Sequence, residues 1–103
     1  MEQGINEKKL LEKIAAGDES AFKDLFHLWR DKLYFFVLRI THSSVMAEDI
    51  LQDVFVKIWT NRATLHTIQH LDAYIYKMSQ NQAISGMKRA AQETLILSKL
   101  KNA

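Results

Sequence analysis

Ala47-Glu48-Asp49-Ile50-Leu51-Gln52-Asp53-Val54-Phe55-Val56-Lys57-Ile58-Trp59 is the stretch on which the reading of the chain turns. Its apolar residues Ala47, Ile50, Leu51, Val54, Phe55 and Ile58 recur at i, i+3 and i+4, the period of a helix that buries one side. The other side begins acidic, with Glu48, Asp49, Gln52 and Asp53, and turns basic only at Lys57. Such a helix is either an ordinary surface helix or a docking helix that shows a partner a fixed row of carboxylates and an amide. The flanking sequence has to decide.

Upstream, Asp18 can cap a helix running to about Ile40. Phe22, Leu25, Phe26, Trp29, Leu33, Phe36, Val37 and Ile40 form its long amphipathic face, read as hydrophobic core. The break Thr41-His42-Ser43-Ser44 offers Ser44 as N-cap of the acidic helix, with Glu48 and Asp49 near its positive end. A first helix over about Asn6 to Ala16 has Asn6 as N-cap and Gly17 suited to a left-handed C′ position. Its narrow stripe of Leu10, Leu11, Ile14 and Ala15 packs on one neighbour.

Downstream, Thr60 to His70 is rich in Thr, Asn, Gln and His and poor in period, and reads as a loop with at most a short helical turn. It is long for a helix–helix connection, which makes it a candidate functional loop. A last helix runs from about Leu71 to Arg89 or beyond, with Leu71, Ile75 and Met78 turned inward. Lys77, Asn81, Ile84 and Lys88 share the opposite arc, flanked by Ser85, Arg89 and Gln92. Residues 94–103 look like more helix, with Leu95, Ile96, Leu97 and Leu100 lacking an evident partner, open to another chain or to the first helix.

At 103 residues the chain suits one domain, and a balance of 48% apolar to 25% charged residues is globular. With no proline, three glycines and no Asn-Gly or Asp-Gly hairpin signal, the expected fold is all-α, a compact bundle of three to four helices. The absence of cysteine excludes disulfides and thiolate metal sites. No apolar run approaches a membrane span, and Met1-Glu2-Gln3-Gly4 lacks a secretory signal, so a cytoplasmic protein without membrane insertion is expected. Charge is divided unevenly. Residues 1–76 carry nine Lys and Arg against eleven Asp and Glu, whereas residues 77–103 carry five against Glu93 alone. That asymmetry points to two partner surfaces, the later one suited to a polyanion.

Catalysis is not expected. His27, His42, His66 and His70 are the obvious candidates, yet only His66 and His70 stand at i, i+4, with no carboxylate or thiol at ligand spacing. Asp49 and Asp53 lack any environment that would split their pKa values, and no phosphate loop or nucleophile elbow is present. No cofactor or metal is called for. Nucleic-acid binding has more support: Arg62, Tyr74, Lys77, Asn81, Lys88 and Arg89 supply the cations, ring and amide with which proteins hold single strands. The same residues also suit a solvated helix face.

Three separated blocks carry a family resemblance. Gly17-Asp18-Glu19-Ser20-Ala21-Phe22, then Ala47 to Trp59, then Ala73-Tyr74-Ile75-Tyr76-Lys77-Met78-Ser79-Gln80-Asn81 with Lys88-Arg89, resemble region 2 of bacterial extracytoplasmic-function (ECF) sigma factors of the sigma-70 family. The resemblance covers about residues 17–90, leaving 1–16 as an N-terminal helix and 91–103 as a helical tail or the start of a linker. It implies that the acidic helix docks on the clamp helices of the RNA polymerase β′ subunit, with Asp49, Gln52, Asp53 and Phe55 in the interface and Trp59 at its end. An acidic row would complement a basic coiled coil, and Phe55 would be the apolar anchor.

The resemblance further implies that the loop Asn61–His70 and the last helix capture the promoter −10 element as non-template single strand, with a flipped base in the loop and Arg62, Lys77 and Asn81 nearby. Family members are often held by an anti-sigma protein that could cover the same surfaces. This chain departs from the family in having Met78-Ser79-Gln80-Asn81 for an Ile-Ala-Arg-Asn type sequence and Met87-Lys88-Arg89 for Leu-Arg-Arg, which implies weaker phosphate contacts. A full factor adds a helix-turn-helix domain reading the −35 element. None follows Ala103, so an excised or truncated unit that does not direct specific initiation alone is expected. From a different class, the competing reading is a helical protein–protein adaptor without DNA binding.

Overall fold

The computed structural model describes residues 6–103, so the first five residues of the N-terminal segment, including Met1–Gly4, lie outside the described residues. Four α-helices and one 3₁₀ helix occur in the order α1 (Glu7–Ala15), α2 (Glu19–Thr41), α3 (Ser44–Thr60), the 3₁₀ helix (Arg62–Thr67) and α4 (Leu71–Lys101). Among the described residues there is no strand. The all-α expectation holds.

The helix ends reflect local chemistry. Asn6 caps α1 by accepting from the Lys9 amide, and Gly17, at φ +95°, ends it. The Gly17 amide donates to the Ile14 carbonyl and the Asp18 amide to that of Lys13, a Schellman arrangement that a left-handed residue permits. Asp18 then accepts from the Ala21 amide at 3.1 Å and opens α2 without a pause.

The next junction differs from expectation by one residue. His42 takes the left-handed position (φ 56°) that stops α2, and Ser43, not Ser44, caps α3 by accepting from the Met46 amide at 3.1 Å. Both serines can cap. Where α2 stops decides between them, because Ser43 is left extended (φ −140°, ψ 117°) while Ser44 enters the helix. Two residues thus turn the chain between α2 and α3, an αα-hairpin.

α2 is seated along Ala21, Leu25, Trp29, Leu33 and Val37, at intervals of four. Phe22, Phe26, Phe36 and Ile40 are only half-buried and pack on the flanks of that line. The phenylalanines of the stripe therefore border the core, and Trp29 alone of its aromatic residues lies within it. α3 contributes Ala47, Ile50, Val54, Phe55 and Ile58, and α4 contributes Leu71, Ile75, Ser79 and Ala83. Met78, expected inward, is half-buried; buried Ser79 takes the inward position, with its hydroxyl donating to the Ile75 carbonyl at 2.8 Å.

The segment after α3 is more ordered than a loop. Its 3₁₀ helix plants fully buried Leu65 in the core, and α1 packs on it. Each buried Leu or Ile of this kind contributes about 1.5–3 kcal/mol. α4 runs unbroken for 31 residues, about 46 Å at the helical rise, so residues 94–101 continue it. Everything from Ala91 onward is exposed, and the molecule measures 59 × 25 × 21 Å. The bundle ends near Ala90, and the last turns of α4 stand clear of it.

Candidate protein-docking and nucleic-acid interfaces

The solvent face of α3 carries Glu48, Asp49, Gln52 and Asp53, all exposed. Helical spacing puts Asp49, Gln52 and Asp53 on neighbouring turns of one ridge. Because α3 begins at Ser44, no carboxylate lies in its first turn. The helix dipole acts mainly on that turn, so Glu48 and Asp49 owe it little. Among the described residues none of these carboxylates is ion-paired; the surface pair is Arg30–Asp31 at 3.7 Å. These charges do little for the fold, and they are free to meet a partner.

Beside the ridge, α2 and α3 leave an open groove of about 460 Å³ lined by Phe26, Tyr34, Phe35, Leu51 and Gln52, with Arg30, Asp31 and Glu48 at its rim. Phe35 is 60% exposed. No role for Phe35 was expected from the sequence. Its position in the aromatic run Tyr34-Phe35-Phe36, off the buried line of α2, was the available signal.

Of the two apolar residues expected at the docking face, Phe55 is placed elsewhere. Phe55 is 4% exposed, with its ring 4.9 Å from Phe26 and 6.3 Å from Phe22. Its neighbours on α2 cover it, so it anchors α3 to α2 and presents no surface to a partner. Trp59 is half-buried against Phe22 at 5.0 Å.

Arg62 also turns inward. Its guanidinium lies 4.3 Å from the Trp59 ring centroid, and Nη1 donates to the Trp59 carbonyl at 2.9 Å. That carbonyl belongs to the last turn of α3, where the regular i+4 helical bond is lost and the Asn61 amide also approaches it. A cation reads alike in sequence whether free or stacked; the i, i+3 spacing of Trp59 and Arg62 was the one hint.

On α4, Lys77, Asn81, Ile84 and Lys88 are exposed on one stripe, and Arg89 is exposed to one side. At 100° per residue Tyr74, Lys77, Asn81 and Lys88 fall within about 60° of arc. Tyr74 is half-buried, and burial pushes its phenol above the usual range, which keeps the hydroxyl protonated as a donor. The stripe begins beside the 3₁₀ segment, whose His66, Thr67, Gln69 and His70 are exposed. A second open cavity, about 640 Å³, lies between that segment and the start of α1, lined by Asn6, Lys8, Leu11, His66, Thr67 and Gln69. The structure thus groups Asp49, Gln52 and Asp53 on α3, and Tyr74, Lys77, Asn81, Lys88 and Arg89 on α4. Among the described residues no three His, Asp or Glu side chains gather as a metal site, and no helix is long and apolar enough to cross a membrane.

Comparison with known proteins adds an independent line. The family model for Sigma-70 region 2 matches residues 25–93. The chain is 26% identical over 82 residues to the ECF RNA polymerase sigma factor SigW of Bacillus subtilis, covering 80% of this chain and 44% of that protein. It is 20% identical over 80 residues to the ECF RNA polymerase sigma factor SigK of Mycobacterium tuberculosis H37Rv, covering 77% and 43%. The chain therefore spans less than half the length of these curated relatives. Among solved structures it is similar in fold to an engineered region 2 of sigmaE, determined by NMR in complex with GTAAAA. The TM-score is 0.76 at 21% identity, over 90% of this chain and 97% of that one.

Proposed function

This chain belongs to the Sigma-70 region 2 family, and from that premise we propose that it docks on the β′ clamp helices of RNA polymerase and captures the promoter −10 element as single strand. The observation that carries this reading is the separation of charge by helix: an acidic ridge on α3, without an ion pair among the described residues, and a cationic, amide-bearing stripe on α4, held by one core. We assign Asp49, Gln52 and Asp53 to the polymerase side. With Phe55 buried, the apolar part of that contact falls to Phe35 and Leu51 in the adjoining groove.

The DNA side is assigned to Lys77, Asn81, Lys88 and Arg89, with Tyr74 as donor and the segment 61–70 receiving an extruded base. From Tyr74 to Arg89 the stripe is about 22 Å long, enough to follow several nucleotides of a single strand. The sigmaE region 2 of similar fold is bound to six nucleotides. Cations along the stripe hold phosphates, and Asn81 reads a base edge. Holding the strand apart stabilises open DNA by binding alone, so the domain does its work without catalysing a reaction, in the cytoplasm where polymerase acts. An anti-sigma protein that covered the α3 ridge or the α4 stripe would block these same contacts.

Fluorescence anisotropy with a labelled single-stranded 12-mer containing GTAAAA tests the DNA half. Binding should be salt-sensitive, weaker to the same sequence as duplex, and lost in Asn81→Ala/Lys88→Ala. Equal affinity for duplex of any sequence would overturn base capture. A wild-type chain that bound the clamp fragment but no single strand would be a protein adaptor.

A further inference from the structure

Arg62 sits next to the proposed DNA surface, yet its side chain is spent inside the protein. Its guanidinium lies over the Trp59 ring at 4.3 Å and bonds the Trp59 carbonyl at 2.9 Å. Trp59 in turn rests on Phe22 of α2 at 5.0 Å. Phe22, Trp59 and Arg62 thus form a stack leading from the bundle to the first residue of the 3₁₀ helix. The guanidinium closes a terminal carbonyl of α3 and sets positive charge at the negative end of that helix.

The 3₁₀ helix needs such an anchor. At six residues it has poorer hydrogen-bond geometry than an α-helix and little stability of its own. Its hydroxyls bond along its own exposed backbone and reach no other element: Thr64 donates to the Asn61 carbonyl and Thr67 to that of Thr64. Buried Leu65 fixes the depth of the segment. α1 packs on the segment and Ile68 rests on the core at its far end, and Arg62 supplies the fixed point at its start. The direction of His66, Thr67 and Gln69 depends on that point.

We propose that Arg62 is a positioning residue, a staple that locks the 3₁₀ segment to the end of α3 through Trp59 and so presents the base-capturing side of the loop, rather than a phosphate contact. This rests on the DNA-capture reading for its consequence, though not for its geometry. A lysine would keep the charge and lose both the planar stacking and the guanidinium fork. The two roles therefore separate by experiment.

The full chain and the labelled 12-mer are measured across a salt series for wild type, Arg62→Ala, Arg62→Lys and, as a phosphate reference, Lys88→Ala. Indole N–H signals and amide exchange at Thr64 and Ile68 are followed by NMR without DNA. The staple predicts that both Arg62 variants bind about five- to tenfold more weakly, the loss expected of one cation–π contact and one hydrogen bond. Their salt slopes should stay at the wild-type value, one indole signal should shift, and the two amides should exchange faster. Lys88→Ala should lower the slope by about 0.7.

If Arg62→Lys binds like wild type while Arg62→Ala lowers the slope, Arg62 is a phosphate contact and the proposal is wrong. Unchanged indole and amide signals in both variants also overturn it. Should wild type bind no single strand at all, the DNA reading fails by itself, and the NMR signals still judge the staple. Trp59→Phe, which keeps a ring for stacking, should behave between wild type and Arg62→Ala. Wild-type exchange in Arg62→Ala alongside a mobile loop in Trp59→Phe would overturn the proposal too.

Discussion

Asp53 and Phe55 lie two residues apart on α3 and have opposite fates. Asp53 is exposed and unpaired among the described residues, and Phe55 is enclosed by Phe22 and Phe26. Asp53→Lys should leave the melting temperature within a few degrees of wild type, yet weaken binding to a β′ clamp-helix fragment at least tenfold by isothermal titration, since like charge then faces the basic partner. Phe55→Ala should instead cost about 3–5 kcal/mol in urea unfolding through the cavity it leaves. The α3 cap offers a second contrast. Ser43→Ala should cost about 1 kcal/mol by the same measurement, and Ser44→Ala less than about 0.5 kcal/mol. The reverse order would mean that the helix begins one residue later.

Among the elements, α1 and the start of α2 were largely legible in sequence because caps act locally: Asn6, Asp18 and Gly17 do what their side chains and backbone freedom allow, whereas the start of α3 shifted by one residue with the end of α2. Depth was not legible. Periodicity found the apolar side of α2, but only its packing between α3 and α4 sets Leu25 and Leu33 at the centre and Phe26 at the rim. The 3₁₀ segment escaped because Thr and His keep no apolar period and one residue, Leu65, carries its burial. Of the candidate surfaces, the α3 ridge and the α4 stripe were readable as charge at helical spacing. The inward turn of Arg62 and the exposure of Phe35 were not, since both depend on neighbours from other helices. For α4, the exposure of every residue from Ala91 onward predicts that deleting 92–103 lowers the melting temperature by only a few degrees. A loss of cooperative unfolding would show that the projecting end is needed by the bundle.

At the scale of the whole molecule, the proposed function puts two surfaces on one core and predicts that they act independently. Substitutions far apart and without shared partners add independently. The decisive measurement is a crossed titration: wild type, Asp53→Lys and Asn81→Ala/Lys88→Ala, each against the β′ clamp-helix fragment and against the single-stranded 12-mer containing GTAAAA. Asp53→Lys should lose the clamp and keep the DNA, the double variant should do the reverse, and wild type should bind both. If Asp53→Lys kept its clamp affinity, or if either variant lost both ligands while melting like wild type, the division into two surfaces would be contradicted.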